Sequence, residues 1–230
     1  PKLVVFDLDH TLIACDATIL WTEFLYEKKI VTDPIWRQYD RDMVKSYAKG
    51  VLDIRDFCRK HSGAFRSIPE EKLHALAQEF AKKKIAPLIF PDGKKWAKNA
   101  LQANIPACVL SASAAFIVKP IAKLFGLTDA MGIELAFKDG FCTGEIVGIP
   151  TFQEGKVERL SERLAEAGIG FEDVLFFTDS RNDLPLAERA GYTVCVNPDA
   201  VLESAARKNG WKVAEWKLSL RTQMTAQVDA

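Results

Sequence analysis

The chain has 230 residues, 48% of them hydrophobic, and its 31 Lys and Arg balance its 31 Asp and Glu. That length holds one large domain or a core with a smaller insert, and the charge balance gives no global reason to expect a nucleic-acid partner. Cys15, Cys58, Cys108, Cys142 and Cys195 are scattered without a C-x-x-C pair, no run approaches the roughly 20 apolar residues of a membrane span, and the N-terminus lacks a secretion-signal layout, so a cytoplasmic protein without stable membrane insertion is expected.

The apolar run Leu3-Val4-Val5-Phe6 reads as a buried strand, and Asp7-Leu8-Asp9-His10-Thr11 follows it directly. Alternation along an extended backbone sends Asp7 and Asp9 to one side. Two carboxylates about 4 Å apart repel by roughly 4 kcal/mol at an effective dielectric near 20. A cation is therefore expected between them, and Mg²⁺ suits carboxylate ligands best. Taken alone, an Asp-x-Asp at a strand end also fits a plain capping role for the next turn.

Helical periodicity follows. Leu20, Trp21, Phe24 and Leu25 recur at helix spacing, and a second helix spans about 34–49, with Pro34 at its start and Gly50 past its end. A third begins near Asp53, and a fourth near Pro69 carries Leu73, Leu76, Ala77 and Phe80 inward until Pro87 stops it. With no strand signal, residues 14–85 read as a small inserted all-helical domain.

From Asp92 helices and strands alternate. A helix with Trp96, Ala100 and Leu101 precedes a strand at 106–110, and a helix at 114–125 precedes a hairpin, 133–137 and 141–147, turning at Asp139-Gly140. A helix at 155–167, a strand at 174–178, a helix at 184–190 and a strand at 192–196 complete the pattern. This is an α/β chain: residues 1–13 and 86–230 are expected to form a doubly wound parallel sheet, a Rossmann-like core, with its ligand at the carboxyl ends of the strands.

Each of three strands ends in a polar cluster: Asp7 and Asp9, then Ser111-Ala112-Ser113, then Asp179, Asn182 and Asp183. Lys156 starts the helix before the third. Together they suit a metal and a phosphate, the metal offsetting the carboxylates while Lys, Ser and backbone N–H groups hold the anion. Singly they have plainer roles: Ser111 or Ser113 as a helix cap, Lys156 as a solvated lysine, 179–183 as a polar turn. Gly155-Lys156 is not a nucleotide P-loop, since Pro150 stands where its first glycine would be.

On these residues the chain resembles the haloacid dehalogenase superfamily of phosphatases, in the branch (subfamily IB) with a helical cap inserted after the first motif. Asp7-Leu8-Asp9-His10-Thr11 matches its D-x-D-x-T motif, Ser111 its second motif, Lys156 its third and 179–183 its acidic fourth. The layout is similar to the phosphoserine phosphatases, as are Thr143-Gly144 and Asn182-Asp183-Leu184. The resemblance implies that Asp7 attacks phosphorus and becomes an aspartyl phosphate, while Asp9 protonates the leaving alcohol and later activates water. It implies Mg²⁺ on Asp7, the Asp9 carbonyl and Asp179, with Asp183 supporting the metal from behind. It also implies phosphate binding by Thr11, Ser111, Lys156 and the neighbouring Ala112 and Asn182. Asp9 argues against a dehalogenase, which needs no acid, and against the ion-pump ATPases, which carry Thr there.

The pattern departs from the phosphoserine phosphatases at Ala112 and Ser113, where they have glycines, and at Ser180 and Arg181, where they have glycine and a small residue. Specificity is expected from the insert, where Asp16 and Arg59 are similar in position to the acidic and basic residues that grip an amino acid. Each also fits a solvated or capping role. Arg181 either meets an acidic part of the substrate or balances local charge. His10, His61 and His74 are too scattered for a metal cluster, and Lys82-Lys83-Lys84 reads as a basic helix end rather than a membrane contact.

The expected activity is therefore Mg²⁺-dependent hydrolysis of a small phosphorylated metabolite, an amino acid or amino alcohol phosphate such as phosphoserine or histidinol phosphate. The alternatives are a lipid-phosphate phosphatase acting on phosphatidylglycerol phosphate, a phosphotransferase, and a non-catalytic phosphometabolite-binding protein. Retention of Asp7, Asp9, Lys156 and Asp179 together speaks against the last. No motif sets an oligomeric state.

Overall fold

The computed structural model of the chain describes residues 1–219. The first strand, β1 (Leu3–Phe6), leads into four helices, α1 (Ala17–Glu27), α2 (Ile35–Ala48), α3 (Ile54–His61) and α4 (Glu70–Phe80). Then come α5 (Pro91–Gln102), β2 (Ala107–Ala114), α6 (Ala115–Ala122), β3 (Asp129–Ile133), β4 (Leu135–Lys138) and β5 (Phe141–Ile146). The remainder is α7 (Glu154–Ala167), β6 (Val174–Thr178), α8 (Leu184–Ala187), β7 (Tyr192–Val196), α9 (Ala200–Asn209) and β8 (Lys212–Ala214).

Six strands form one sheet in the order β3-β2-β1-β6-β7-β8, every adjacent pair parallel. β1 is central, with Phe6 opposite Val109 on one side and Phe177 on the other. Side-chain alternation makes two buried faces. Val4 and Phe6 join the larger apolar cluster with Ala97, Val109 and Phe177. Leu3 and Val5 point the other way, onto Val157, Leu160 and Leu164 of α7.

Of the four helices between β1 and α5, α1 and α4 pack on the first of these faces. Trp21 of α1 meets Phe80 of α4 edge-on at 5.4 Å and Phe116 of α6 at 5.6 Å between ring centroids. Phe65 contacts the same Phe116 at 5.4 Å. Large aromatic rings thus seat α1 and α4 on the sheet layer, where each such pair adds about 1 kcal/mol to the apolar burial. The hairpin β4–β5 turns at Asp139 and Gly140, both with positive φ as a tight two-residue turn requires. It stands apart from the main sheet, and the N–H of Glu70 donates to the Gly140 carbonyl at 2.8 Å.

Several boundaries differ from the sequence expectation. The second strand does not stop at Leu110 but runs through Ser111-Ala112-Ser113 to Ala114, because it pairs with a strand the pattern did not reveal. That strand, β3, contains Ile133, which was expected in the hairpin. Gly132 is what makes β3 hard to read. A Cβ there would lie 2.8 Å from Ala115 Cα and the Ser113 carbonyl oxygen, so glycine permits the close approach of β3 to the start of α6. The helix after β6 spans only Leu184–Ala187, and the short edge strand β8 was not anticipated. Lys83 and Lys84 pair with Glu79 and Glu27. No described helix is long and apolar enough to cross a membrane, and all five cysteines are free.

Candidate active site

The chain fills the sheet outward from β1 on one side, through β2 and β3, and then crosses to β6 on the other. The crevice at the carboxyl ends of β2, β1 and β6 is the expected ligand site of such a sheet. Asp7 directly follows β1 and its N–H donates to the Phe177 carbonyl at 2.9 Å, tying it to β6. Asp179 directly follows β6, and Ser111 and Ser113 lie on β2.

Lys156, from the first turn of α7, is 1% exposed. Its Nζ donates to Asp7 Oδ1 at 2.7 Å and to Asp183 Oδ2 at 2.8 Å. Thr178 Oγ1 also donates to Asp183 Oδ2, at 2.7 Å. Thr11 is fully buried and donates its hydroxyl to Asp179 Oδ1 at 3.2 Å. Asp7 and Asp183 thus share one ammonium. Burial pushes the Asp7 carboxyl up to about 7 against the pull of Lys156, with Asp183 and Asp9 adding to the rise. Burial likewise raises Asp179 well above the usual carboxylate range, helped by Asp7 and Asp183. Burial of Lys156 opposes its charge, but Asp183 and Asp7 more than compensate and raise its pKa. Excess negative charge of this kind suits a hard divalent cation. Among the described residues, no three His, Cys, Asp or Glu side chains form a preformed metal cage. The carboxylate oxygens of Asp7 and Asp179 are nonetheless the donor type that Mg²⁺ accepts.

Asp9 sits in a separate hydrogen-bonded frame. Its Oδ1 accepts from the Ala17 N–H at 2.6 Å, and its Oδ2 accepts from Ser111 Oγ at 3.1 Å and Ser113 Oγ at 2.9 Å. Burial, then the charge of Asp16, push its carboxyl up to about 6, while the Ala17 N–H and the Ser113 hydroxyl pull it down. A carboxyl poised there can both give and take a proton near neutral pH. Ser111 and Ser113 alternate on one strand face and act as a pair on this carboxylate. Neither caps α6, which has no side-chain cap. The sequence places Ser113 in the polar cluster without a role of its own, and its i, i+2 spacing from Ser111 is what brings both hydroxyls to one carboxylate.

Above these groups lies a cavity of about 210 Å³. Asp7, Asp9, Asp179, Ala112 and Ser113 contribute its floor, and the helical segment contributes Asp16, Thr18, Ile19, Met43, Tyr47, Leu52 and Phe57. No lysine or arginine lines it among the described residues. Asp16 serves two expected roles at once: its Oδ1 caps α1, accepting from Thr18 N–H at 2.9 Å and Ile19 N–H at 3.0 Å, and it faces the cavity. Burial raises its pKa against those two N–H bonds.

Two expectations need correction. Arg59 is exposed and does not reach the cavity, because α3 turns Cys58 and His61 inward and carries Arg59 on its outer side. Asn182 is 3% exposed and its amide is fully engaged: Nδ2 donates to the Tyr47 carbonyl at 3.0 Å and Oδ1 accepts from Gln153 Nε2 at 3.1 Å. It holds the helical segment and is not among the residues that line the cavity. Tyr47 escaped the sequence reading because nothing in its local pattern marks it.

The sequence profile of the haloacid dehalogenase-like hydrolases matches residues 4–188. A histidinol-phosphatase of Neisseria meningitidis serogroup C is 35% identical over 94% of this chain and 99% of its own length. The structure of a Bordetella pertussis Tohama I protein of unknown function is 31% identical, superimposes with a TM-score of 0.83, and is covered to 96%, against 92% of this chain. A phosphoserine phosphatase solved as a phospho-aspartyl intermediate analogue is 22% identical, with a TM-score of 0.69 over 98% of both chains, a likeness of fold.

Proposed function

The chain belongs to the haloacid dehalogenase-like hydrolases and is a phosphatase, and we propose that its substrate is the phosphate ester of a small amino alcohol without a carboxylate. The observation that carries this reading is the cavity wall, where Asp16 stands among apolar side chains and no lysine or arginine is present among the described residues. An ammonium or protonated ring nitrogen on the alcohol would relieve the charge of the half-buried Asp16. A carboxylate would meet no lysine or arginine, His10 being the basic side chain among the described lining residues, and would approach Asp16 with like charge, which costs several kcal/mol. The Neisseria relative, named for histidinol phosphate, supports this choice over phosphoserine.

In this reading Asp7, which lines the cavity and is held by Lys156, is the nucleophile. Asp9 donates a proton to the departing alcohol oxygen and then takes one from water. Ser111 and Ser113 set both its position and its proton affinity. Asp7 and Asp179 would hold Mg²⁺ together with the Asp9 carbonyl, with Asp183 behind. The ion, when bound, offsets the negative charge that phosphate brings to a site already rich in carboxylates.

Phosphate release with Mg²⁺ from histidinol phosphate, phosphoethanolamine and O-phosphoserine tests the substrate class. The amino alcohol esters are expected to be favoured over phosphoserine by about 100-fold in kcat/KM, and Asp16→Asn is expected to raise KM for them while sparing p-nitrophenyl phosphate. Equal use of phosphoserine would sink the reading. A second result follows from the Asp9 frame. Ser113→Ala removes a bond that favours the carboxylate, so the Asp9 pKa rises further above about 6 and the alkaline limb of kcat/KM moves to higher pH. An unmoved limb would mean that another group sets it.

A further inference from the structure

The insert is not held uniformly. α1 and α4 are seated by aromatic packing on α6, but α2 buries only Asp40 and Met43 along its 14 residues. Near its start, Arg37 donates to both oxygens of Glu23 on α1, each at 2.7 Å, and lies 3.8 Å over the Tyr26 ring. Its other end touches the catalytic loops. There the Tyr47 carbonyl accepts from Asn182 Nδ2 at 3.0 Å, and the Gly50 carbonyl accepts from Gln153 Nε2 at 3.3 Å. The two amides join each other at 3.1 Å. Gly50 has φ +72°, and a Cβ on it would lie 3.4 Å from Arg181 Nε, so the guanidinium lies against the negative end of the helix dipole.

We propose that Gln153, Arg181 and Asn182 are positioning residues that latch the C-terminal end of α2 and hold Tyr47 over the catalytic carboxylates. All three come from loops that flank the chemistry: Gln153 precedes the helix carrying Lys156, while Arg181 and Asn182 lie between Asp179 and Asp183. The Tyr47 carbonyl already accepts from the Gly50 N–H at 2.9 Å, so the Asn182 amide occupies its second lone pair, one that a helix end leaves open to an outside donor. Water would serve equally well on a free helix, so amides from two separate loops specify one docked position. Tyr47 is the side chain so delivered; it lines the cavity, and its phenol lies beside Ser180, raised well above its ordinary pKa by burial and then by Asp183, Asp7 and Asp179.

Backbone conformation offers an independent sign that the Gln153 side chain is used. Gln153 has φ +49° and ψ −123°, a region glycine enters freely and other residues enter only with strain. Glycine would relax the backbone there but has no amide to give.

That contrast sets the test, which rests on the reading that the cavity is the active site only in its kinetic arm. Amide hydrogen exchange is measured on wild type, Gln153→Gly and Gln153→Ala without substrate. In both variants exchange across residues 45–52 is expected to rise about five- to tenfold, the effect of losing a hydrogen bond of ordinary strength, with β1 and β6 unchanged. Gln153→Gly should do this while its Tm equals or exceeds that of wild type, a combination that general loosening of the fold does not produce. With p-nitrophenyl phosphate and Mg²⁺, KM should rise in both variants with kcat within about twofold. No change across 45–52, or an equal rise throughout the chain, overturns the latch, whatever the substrate proves to be.

Discussion

Asp7→Asn is expected to abolish phosphate release, by on the order of 10⁴-fold or more, on every ester tested. The amide is nearly isosteric with the carboxylate and can still accept from Lys156 Nζ, now 2.7 Å from Asp7 Oδ1. Lys156 also keeps Asp183, so no buried ammonium is stranded and the fold should persist. What disappears is the proposed nucleophile, and Asp9, framed by Ser111, Ser113 and Ala17, is not placed to substitute for it. Residual rates near wild type, with unfolding unchanged, would exclude a covalent route through Asp7 and favour direct attack by water.

Lys156→Met should damage both catalysis and stability. The methylene stem is buried and Met replaces it well, so the loss isolates the charge. Without the ammonium, Asp7 and Asp183 face each other uncompensated in a site where Lys156 is 1% exposed. Breaking a buried ion pair in this way typically costs about 3–5 kcal/mol. The pH dependence has a definite sign. Burial already pushes Asp7 up to about 7, and loss of Lys156 removes a cause that lowers it, so the variant's folded-state pKa rises further above the unfolded 3.8. A carboxyl whose folded pKa is raised stabilises the fold least when it must be charged, so the deficit should grow from pH 5.5 to pH 8. Thermal unfolding at both pH values, without and with Mg²⁺, reads this directly. A deficit under about 1 kcal/mol that ignores pH would mean that water or backbone groups carry the compensation.

Much of this was legible in residue order. Asp7 and Asp9 behind a buried strand, Lys156 at the start of a helix and 179–183 behind another strand are short-range patterns, and parallel-sheet topology necessarily gathers strand ends on one rim. The strands at 174–178 and 192–196 were found at their true limits because β-branched and aromatic runs are strong local signals. β3 was missed for the opposite reason. Asp129-Ala130-Met131-Gly132-Ile133 has weak strand propensity and becomes a strand through pairing with β2 and contact with α6. The outward placement of Arg59 shows the same limit within the site, since alignment by position could not say which way α3 faces.

From residue order came the chemistry: which carboxylates cluster, which lysine meets them, and that a phosphate and a hard cation suit them. Folding chose the assignments among them. Ser111 and Ser113 tune Asp9, Thr11 holds Asp179, and Asn182 grips the Tyr47 carbonyl, because each hydroxyl or amide bonds to whichever polar group is buried beside it. The cavity's acidic, arginine-free wall and the bonds of Gln153 across to α2 belong to this second class. They depend on residues about 100 positions apart meeting, and such meetings are set by packing of the whole chain, which local periodicity does not encode.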